Sequence, residues 1–352
     1  MKIRSRAPLR IGLAGGGTDL ESYYKQFGGM VLNTTIGMYA YCTIIPTDDN
    51  MIKIYSYDNK NHIETPSVSQ LPLEGDNLIL HRGVYNRIVR DYNDGKPLSF
   101  IMSTANDAPI GSGLGTSSTM VVAILEAFNR WLGLGLHDYD KARLAYEIER
   151  EDLKLVGGKQ DQYAAVFGGF NYIEFHKDGG VIVNTLRLEK RIVNELENSL
   201  LLYYSGQSRK SADVQLELTN NIIKRQNANI ASKKDTTVDA LANIKAHAVL
   251  MKDHILTGNM EGFADVLRQG WANKKKTSSI VSNEELEKNI EYSFKHGAEA
   301  VKVSGAGGGG FLLLYVNPMN RQRLITAMEE LPGGKVYPVS LYKYGVESWT
   351  ID

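Results

Sequence analysis

Three glycine-rich stretches, each placed directly after an apolar strand candidate, constrain this chain more than any other feature: IGLAGGGTD (11–19), PIGSGLGTSS (109–118) and KVSGAGGGGF (302–311). Glycine tolerates positive φ and lets a ligand approach the main chain, so successive N–H groups can converge on an anion. The second stretch runs into VVAILEAFNRWL, where Val121, Ile124, Leu125, Phe128, Trp131 and Leu132 recur at helical spacing. It therefore meets a helix N-terminus, which carries about half a unit of positive charge. Ser112, Thr116, Ser117 and Ser118 add hydroxyls able to bind phosphate oxygens or a magnesium ion. That combination suits a nucleoside triphosphate. Any one of the three loops alone reads as a tight turn; three in one chain favour anion binding.

The familiar phosphate loops do not account for them. GSGLGT lacks the G-x-G-x-x-G spacing of a dinucleotide fingerprint, and no acidic residue follows at the right distance on a strand end. The lysine of G-x-x-x-x-G-K-[ST] is absent, as is the protein-kinase set VAIK, HRD and DFG.

The surrounding pattern sets the architecture. It predicts strands at 8–14, 30–45 (as two segments), 51–57, 98–104 and 170–175, the last followed by the hairpin signal KDGG and VIVNTLRL. It predicts helices at 77–93, 117–133 and 138–153, with Asp138 as a cap. SLLLYYS (199–205) then leads into a largely helical stretch from 208 to 296. Strands follow at 299–303 and 311–316, then a helix at 318–330 and a strand near 335–343. Elements that interleave without regular alternation read as α+β. The 352 residues are enough for two domains, divided in LEKRIVNELENS into 1–190 and 191–352.

Composition excludes several function classes. Lys plus Arg equals Asp plus Glu at 40 each, which leaves no bulk electrostatic case for nucleic acid or an anionic membrane. The single cysteine, Cys42, excludes an internal disulfide framework and fits a reducing compartment. No apolar run approaches the ~20 residues that cross a bilayer. The basic start reads as strand and loop rather than a signal peptide, so a cytoplasmic protein is expected. The seven histidines show no metal-ligand spacing.

AYEIEREDLKLVGGKQDQYAAVFGG holds the acidic candidates. Glu147, Glu151 and Asp152 read as a solvated helix face. Asp161 differs, because it follows a Gly-Gly pair and precedes the apolar run YAAVF, where a solvated charge is out of place. A carboxylate there could take a proton from a hydroxyl nucleophile.

In order and spacing, APLRIGLAGGGTD, PIGSGLGTSS and KVSGAGGGGF resemble the three motifs of the GHMP small-molecule kinases, over residues 8 to 311. The first motif is similar to "APGRVNLIGEHTD" of the sugar-kinase branch, with Arg10 and Thr18-Asp19 at matching positions. Gly16-Gly17 stands where galactokinases carry Glu-His, which argues against galactose itself. GGGTD, GGKQDQYAAVFGG and YYSGQSRKSADV are instead similar to bacterial kinases that phosphorylate D-glycero-D-manno-heptose 7-phosphate at the anomeric position, on the GDP-heptose route to surface polysaccharides. The resemblance implies a two-domain GHMP kinase fold, with a ribosomal-S5-like N-terminal domain and a ferredoxin-like C-terminal domain. It also implies a left-handed βαβ crossover, against the usual rule.

The resemblance further implies ATP and Mg2+ as cofactors and a small-molecule sugar phosphate as substrate. Pro109, Gly111, Ser112, Gly113, Leu114, Gly115, Thr116, Ser117 and Ser118 would cradle the ATP phosphates. Ser117 and Glu149 would bind the metal, the latter lying twelve residues before Asp161 as in galactokinases. Asp161 would act as base and Arg10 would stabilise the transferring phosphoryl group. Thr18 and Asp19 would bind sugar hydroxyls, with Gly305, Ala306 and Gly307 lining the site. A substrate phosphate would fall to Arg209 and Lys210, ahead of Lys159 and of Lys274 to Lys276, where KKK reads as a solvated face. The competing readings are another sugar 1-kinase, fucokinase-like or galactokinase-like, and a non-catalytic sugar and nucleotide sensor. Asp161, Arg10 and the hydroxyl loop together argue against the sensor.

Overall fold

The computed structural model describes residues 1–58, 60–74, 78–206, 211–227 and 236–352. Among the described residues, twelve strands form two sheets: β1 (Lys2–Ala14), β2 (Gly29–Pro46), β3 (Met51–Ser56), β4 (Asn61–Pro66), β5 (Phe100–Asn106), β6 (Phe170–Phe175), β7 (Val181–Leu186), β8 (Leu200–Tyr204), β9 (Ala298–Val303), β10 (Phe311–Val316), β11 (Lys335–Pro338) and β12 (Glu347–Ile351). The first sheet runs β12-β1-β2-β5-β3-β4, with β6 and β7 added on β2. β3 and β5 are parallel, so the connection between them, which includes β4 and helix Ile79–Tyr92, is a crossover. The second sheet, β11-β8-β10-β9, is antiparallel throughout. Its strands appear in the chain as strand, helices, strand, strand, helix, strand, the split βαβ plan expected of a ferredoxin-like unit.

β2 is one strand where two segments were expected. Gly29–Thr34 pairs with β6, and Ala40–Pro46 pairs with β5 along the same edge. The break lies in the partner and not in the backbone. The helices Glu21–Phe27, Gln160–Phe167 and Lys190–Ser199 and the strands β4 and β12, none longer than ten residues, are too short to show a period in the sequence. Asp138 begins its helix rather than capping it, His137 standing at the cap.

β1 shows how the two units meet. Its first residues alternate, Lys2 and Arg4 exposed and Ile3 and Ser5 buried; from Ala7 to Arg10 every residue is buried. One face there packs under helices Thr116–Leu132 and Gln160–Phe167, in the core that holds Val121, Leu125 and Phe128. The other face contributes Leu9, Ile11 and Leu13 to a second core, shared with Leu202 and Leu313 of the second sheet and with Met251, Phe263 and Leu267. Burial on both faces needs apolar residues in a near-continuous run, as here. β12 then returns from the second unit and pairs with β1, Lys2 opposite Ile351.

Candidate active site

The loop between β5 and helix Thr116–Leu132 is held open by its glycines. Gly111, Gly113 and Gly115 have φ of 77°, 82° and 80°, and Gly115 stands at the helix cap, so no side chain occupies the first-turn N–H groups there. The loop is pinned from behind. Arg10 N–H donates to the Leu114 carbonyl (3.1 Å), Arg10 Nη1 to the Gly113 carbonyl (2.6 Å), and Phe311 N–H to the Ser112 carbonyl (3.0 Å). Leu114 is fully buried and anchors the loop in the second core. Pro109 and Ser117 are exposed. Thr116 and Ser117 also border a cavity of about 230 Å3, whose remaining walls include Ser56, Asp58, His81 and Met120.

The second and third glycine runs touch. A Cβ on Gly305 would stand 2.7 Å from the Gly113 carbonyl oxygen, and one on Gly113 would collide with the Ser304 carbonyl. Part of the glycine content thus serves loop–loop contact between the units. This places Gly305 and Ala306 in a pocket with Arg10, Asp19, Asp161 and Lys274. Gly307 is not part of that wall: it packs against the Val281 backbone, where a Cβ would stand 2.7 Å from the carbonyl oxygen.

Asp161 and Arg10 form the centre. Arg10, 4 % exposed, donates from Nε (2.8 Å) and Nη2 (2.7 Å) to Asp161 Oδ1. Oδ2 has no hydrogen-bond partner among the described residues. Gly115 packs beneath it, a Cβ there falling 3.4 Å from Oδ2. The carboxylate is therefore aligned through one oxygen and left with one free to accept a proton.

Asp19 accepts from Gly17 N–H (2.9 Å) and Gln160 N–H (3.2 Å). Burial, followed by the negative charge of Asp161, pushes its carboxyl above the usual range. Thr18 has different work from the sugar contact expected of it. Fully buried, it donates to the Gly15 carbonyl (2.8 Å) and accepts from Met30 N–H (3.1 Å), closing the first glycine loop.

Glu149 lies in a widened π turn, Ile148–Asp152, where the sequence predicts plain helix. It is 1 % exposed and accepts from Ser118 Oγ (3.0 Å) and Gln162 Nε2 (2.5 Å). Burial raises its pKa. The serine that bonds Glu149 within the protein is Ser118, while Ser117 beside it is exposed at the loop. Glu147 and Asp152 pair with Arg87, as a solvated face would. Among the described residues no group of three His, Cys, Asp or Glu could hold a metal.

Of the cations, Arg209 and Lys210 lie outside the described residues. Lys159 is taken up structurally: its ammonium sits 4.8 Å from the ring centroids of Tyr24 and Tyr146 and donates to the Gly179 carbonyl. Lys274 overturns its reading as a solvated lysine, because it lines the pocket that holds Asp19 and Asp161. Gln160 and Lys302 were missed. Gln160 sat in the quoted KQDQY but carries no charge to draw notice. Lys302 reads as one polar residue in a strand.

Family models bear directly on this geometry: "GHMP kinases N terminal domain" matches residues 77–169 and "GHMP kinases C terminal" matches 248–332. The chain is also 43% identical over 349 residues to the D-glycero-alpha-D-manno-heptose 7-phosphate kinase of Campylobacter jejuni, covering 99% of each. The chain belongs to the GHMP kinase family. A solved structure described as a D-glycero-D-manno-heptose 1-phosphate kinase from Bacteriodes thetaiotaomicron superposes with a TM-score of 0.83 at 44% identity, covering 99% of each chain. A putative sugar kinase from Campylobacter jejuni gives 0.80 at 42%, covering 99% of this chain and 98% of its own. GHMP kinases are ATP-dependent and transfer a phosphoryl group to a hydroxyl acceptor, and this GHMP kinase has the family's two-domain α+β fold. Among its described residues no helix is long and apolar enough to cross a membrane.

Proposed function

We propose that the chain phosphorylates the anomeric hydroxyl of D-glycero-D-manno-heptose 7-phosphate, giving the 1,7-bisphosphate for nucleotide-activated heptose and surface polysaccharide, in the cytoplasm. The observation that carries the reading is Asp161, aligned by Arg10 on one oxygen and free on the other, in the wall of a pocket between the first and third glycine loops. The 43% identical relative supports the choice of substrate.

ATP fits the loop 109–118, with its phosphates on the N–H groups of the glycine turn and of the first turn of helix Thr116–Leu132, and with its nucleoside in the adjoining cavity beside Ser56 and Met120. Asp161 Oδ2 takes the proton of the sugar hydroxyl as that oxygen bonds to the γ-phosphorus. The bond to the β–γ bridging oxygen breaks and ADP leaves. Arg10 orients Asp161 through its two contacts to Oδ1 and adds positive charge beside the transferring group. Asp19 accepts from sugar hydroxyls, and Thr18 shapes the loop that carries it. The hydroxyls of Ser117 and Ser118 and the carboxylate of Glu149 are hard oxygen donors, so the residues present fit Mg2+, which keeps few protein ligands when it rides on nucleotide phosphates. When bound, the ion supplies charge neutralisation on the phosphates.

The two heptose-kinase relatives carry names that differ in the substrate's phosphate position, 7 in one and 1 in the other. An ADP-release assay over heptose 7-phosphate, heptose 1-phosphate, heptose, galactose and fucose decides between these substrates. Heptose 7-phosphate is expected to give the highest kcat/KM. A higher value for any other sugar replaces the reading.

A further inference from the structure

Beside the acceptor pocket lies a second cavity, walled by Gly15 and Gly16 of the first glycine loop and by Lys274, Lys302 and His247. The two cavities share Gly16, Lys274 and Gly305, so they adjoin. No residue of the loop 109–118 lines the second one, which separates it from the nucleotide phosphates.

Two lysines and a histidine line it, and no carboxylate is among its lining residues. Lys302 donates to the Gly12 (2.8 Å) and Leu13 (3.3 Å) carbonyls, which orient its ammonium but do not neutralise it. Lys274 has no hydrogen bond from its ammonium among the described residues, and Asp19 attracts it only from a distance. His247 is 7 % exposed, and its Nδ1 is buried without a partner. Burial lowers the pKa of Lys274; burial, then Lys274, then Arg10 hold Lys302 down to about 7. Two neighbouring lysine amines whose charging is opposed by burial, and an imidazole nitrogen without a partner, are left to be completed by a ligand. The missing partner is an anion with several acceptor oxygens.

We infer that this cavity is the subsite for the phosphate already carried by the acceptor sugar, bound by Lys274 and Lys302 with His247 beside them. The inference rests on the reading of the acceptor as a sugar phosphate. Lys274, at the junction of the two cavities, spans from the sugar's hydroxyls to its phosphate. The contact exists in the ground state and the transition state alike, so its loss is read in KM more than in kcat.

The test compares heptose 7-phosphate with the unphosphorylated heptose at saturating ATP, in the wild type and in Lys274→Met, Lys274→Arg and Lys302→Met. The wild type is expected to prefer the phosphorylated sugar. Lys274→Met should raise KM for heptose 7-phosphate by roughly ten- to a hundredfold, the scale of one charge-assisted contact, and shrink the preference ratio in proportion. Lys274→Arg should keep most of the preference. Lys302→Met should shift the ratio in the same direction, with its Tm recorded because it also loses two bonds to the first loop. Lys274→Met loses no hydrogen bond and should keep or raise Tm. A wild-type preference that survives intact in Lys274→Met overturns the subsite alone. A wild type that does not prefer the phosphorylated sugar overturns the substrate reading and the subsite with it.

Discussion

Asp161 gives Oδ1 to both Arg10 contacts and keeps Oδ2 without a hydrogen-bond partner among the described residues, and Oδ2 is the atom proposed to accept the sugar's proton. Asp161→Asn keeps the shape and removes the base, so turnover should fall by roughly 10²–10⁴-fold with little change in nucleotide affinity. Steady-state rates beside ATP binding by calorimetry check this, and near-wild-type turnover would remove Asp161 from the mechanism. Lys302 gives a second expectation. Its pKa falls from 10.5 to about 7 on folding, so between those values the unfolded chain holds a proton that the native one lacks. The ligand-free enzyme should therefore gain stability as pH rises from about 7 toward 10.5, and Lys302→Met should flatten that gain in urea titrations. The two residues were not equally legible. Asp161 showed in the sequence because a lone acid between Gly-Gly and YAAVF has no solvated explanation. Lys274 did not, because what buries it is the first glycine loop, some 250 residues away, and a KKK run looks like surface.

The glycine loops act at the scale of elements. Gly113 sits at φ 82° with the Ser304 carbonyl where a Cβ would go, so Gly113→Ala adds strain to a clash between two backbones. It should lower stability by about 1–3 kcal/mol, seen as a lower Tm, and should weaken ATP binding because the cradle moves with it. The two serines at the helix start should separate cleanly. Ser117 is exposed at the loop, so Ser117→Ala should raise the Mg2+ concentration for half-maximal rate without moving Tm. Ser118 bonds the buried Glu149, so Ser118→Ala should also lower stability by about 1–3 kcal/mol. Equal Tm for the two variants would contradict the arrangement. That loop, strand and helix follow one another here was plain from spacing. That Gly113 and Gly305 exist for each other was not, because their contact joins stretches nearly 200 residues apart.

At the scale of the whole molecule, the second core ties the units together. Leu9, Ile11 and Leu13 of β1 pack with Leu202 and Leu313 of the other sheet, and β12 closes the chain back onto β1. Calorimetry should therefore show one cooperative transition for both units. Leu267→Ala, in that shared core, should destabilise the whole by about 2–5 kcal/mol rather than one half. Two resolved transitions would contradict this. The α+β class and the longer elements were legible in the sequence; the short helices Glu21–Phe27, Gln160–Phe167 and Lys190–Ser199, β12's return and the partners of β2 were not, because they depend on packing and strand pairing across the full chain length.

The proposed reaction transfers the ATP γ-phosphoryl group to an anomeric hydroxyl at the site built around Asp161. Phosphorus NMR of the enzyme with ATP, Mg2+ and heptose 7-phosphate tests it most directly. ADP and a new phosphate ester coupled to the anomeric proton are expected in equal amounts, with the 7-phosphate signal retained and both products formed roughly 10²–10⁴-fold more slowly in Asp161→Asn. An ester at any other carbon, or ADP formed with free inorganic phosphate and no new ester, would contradict it.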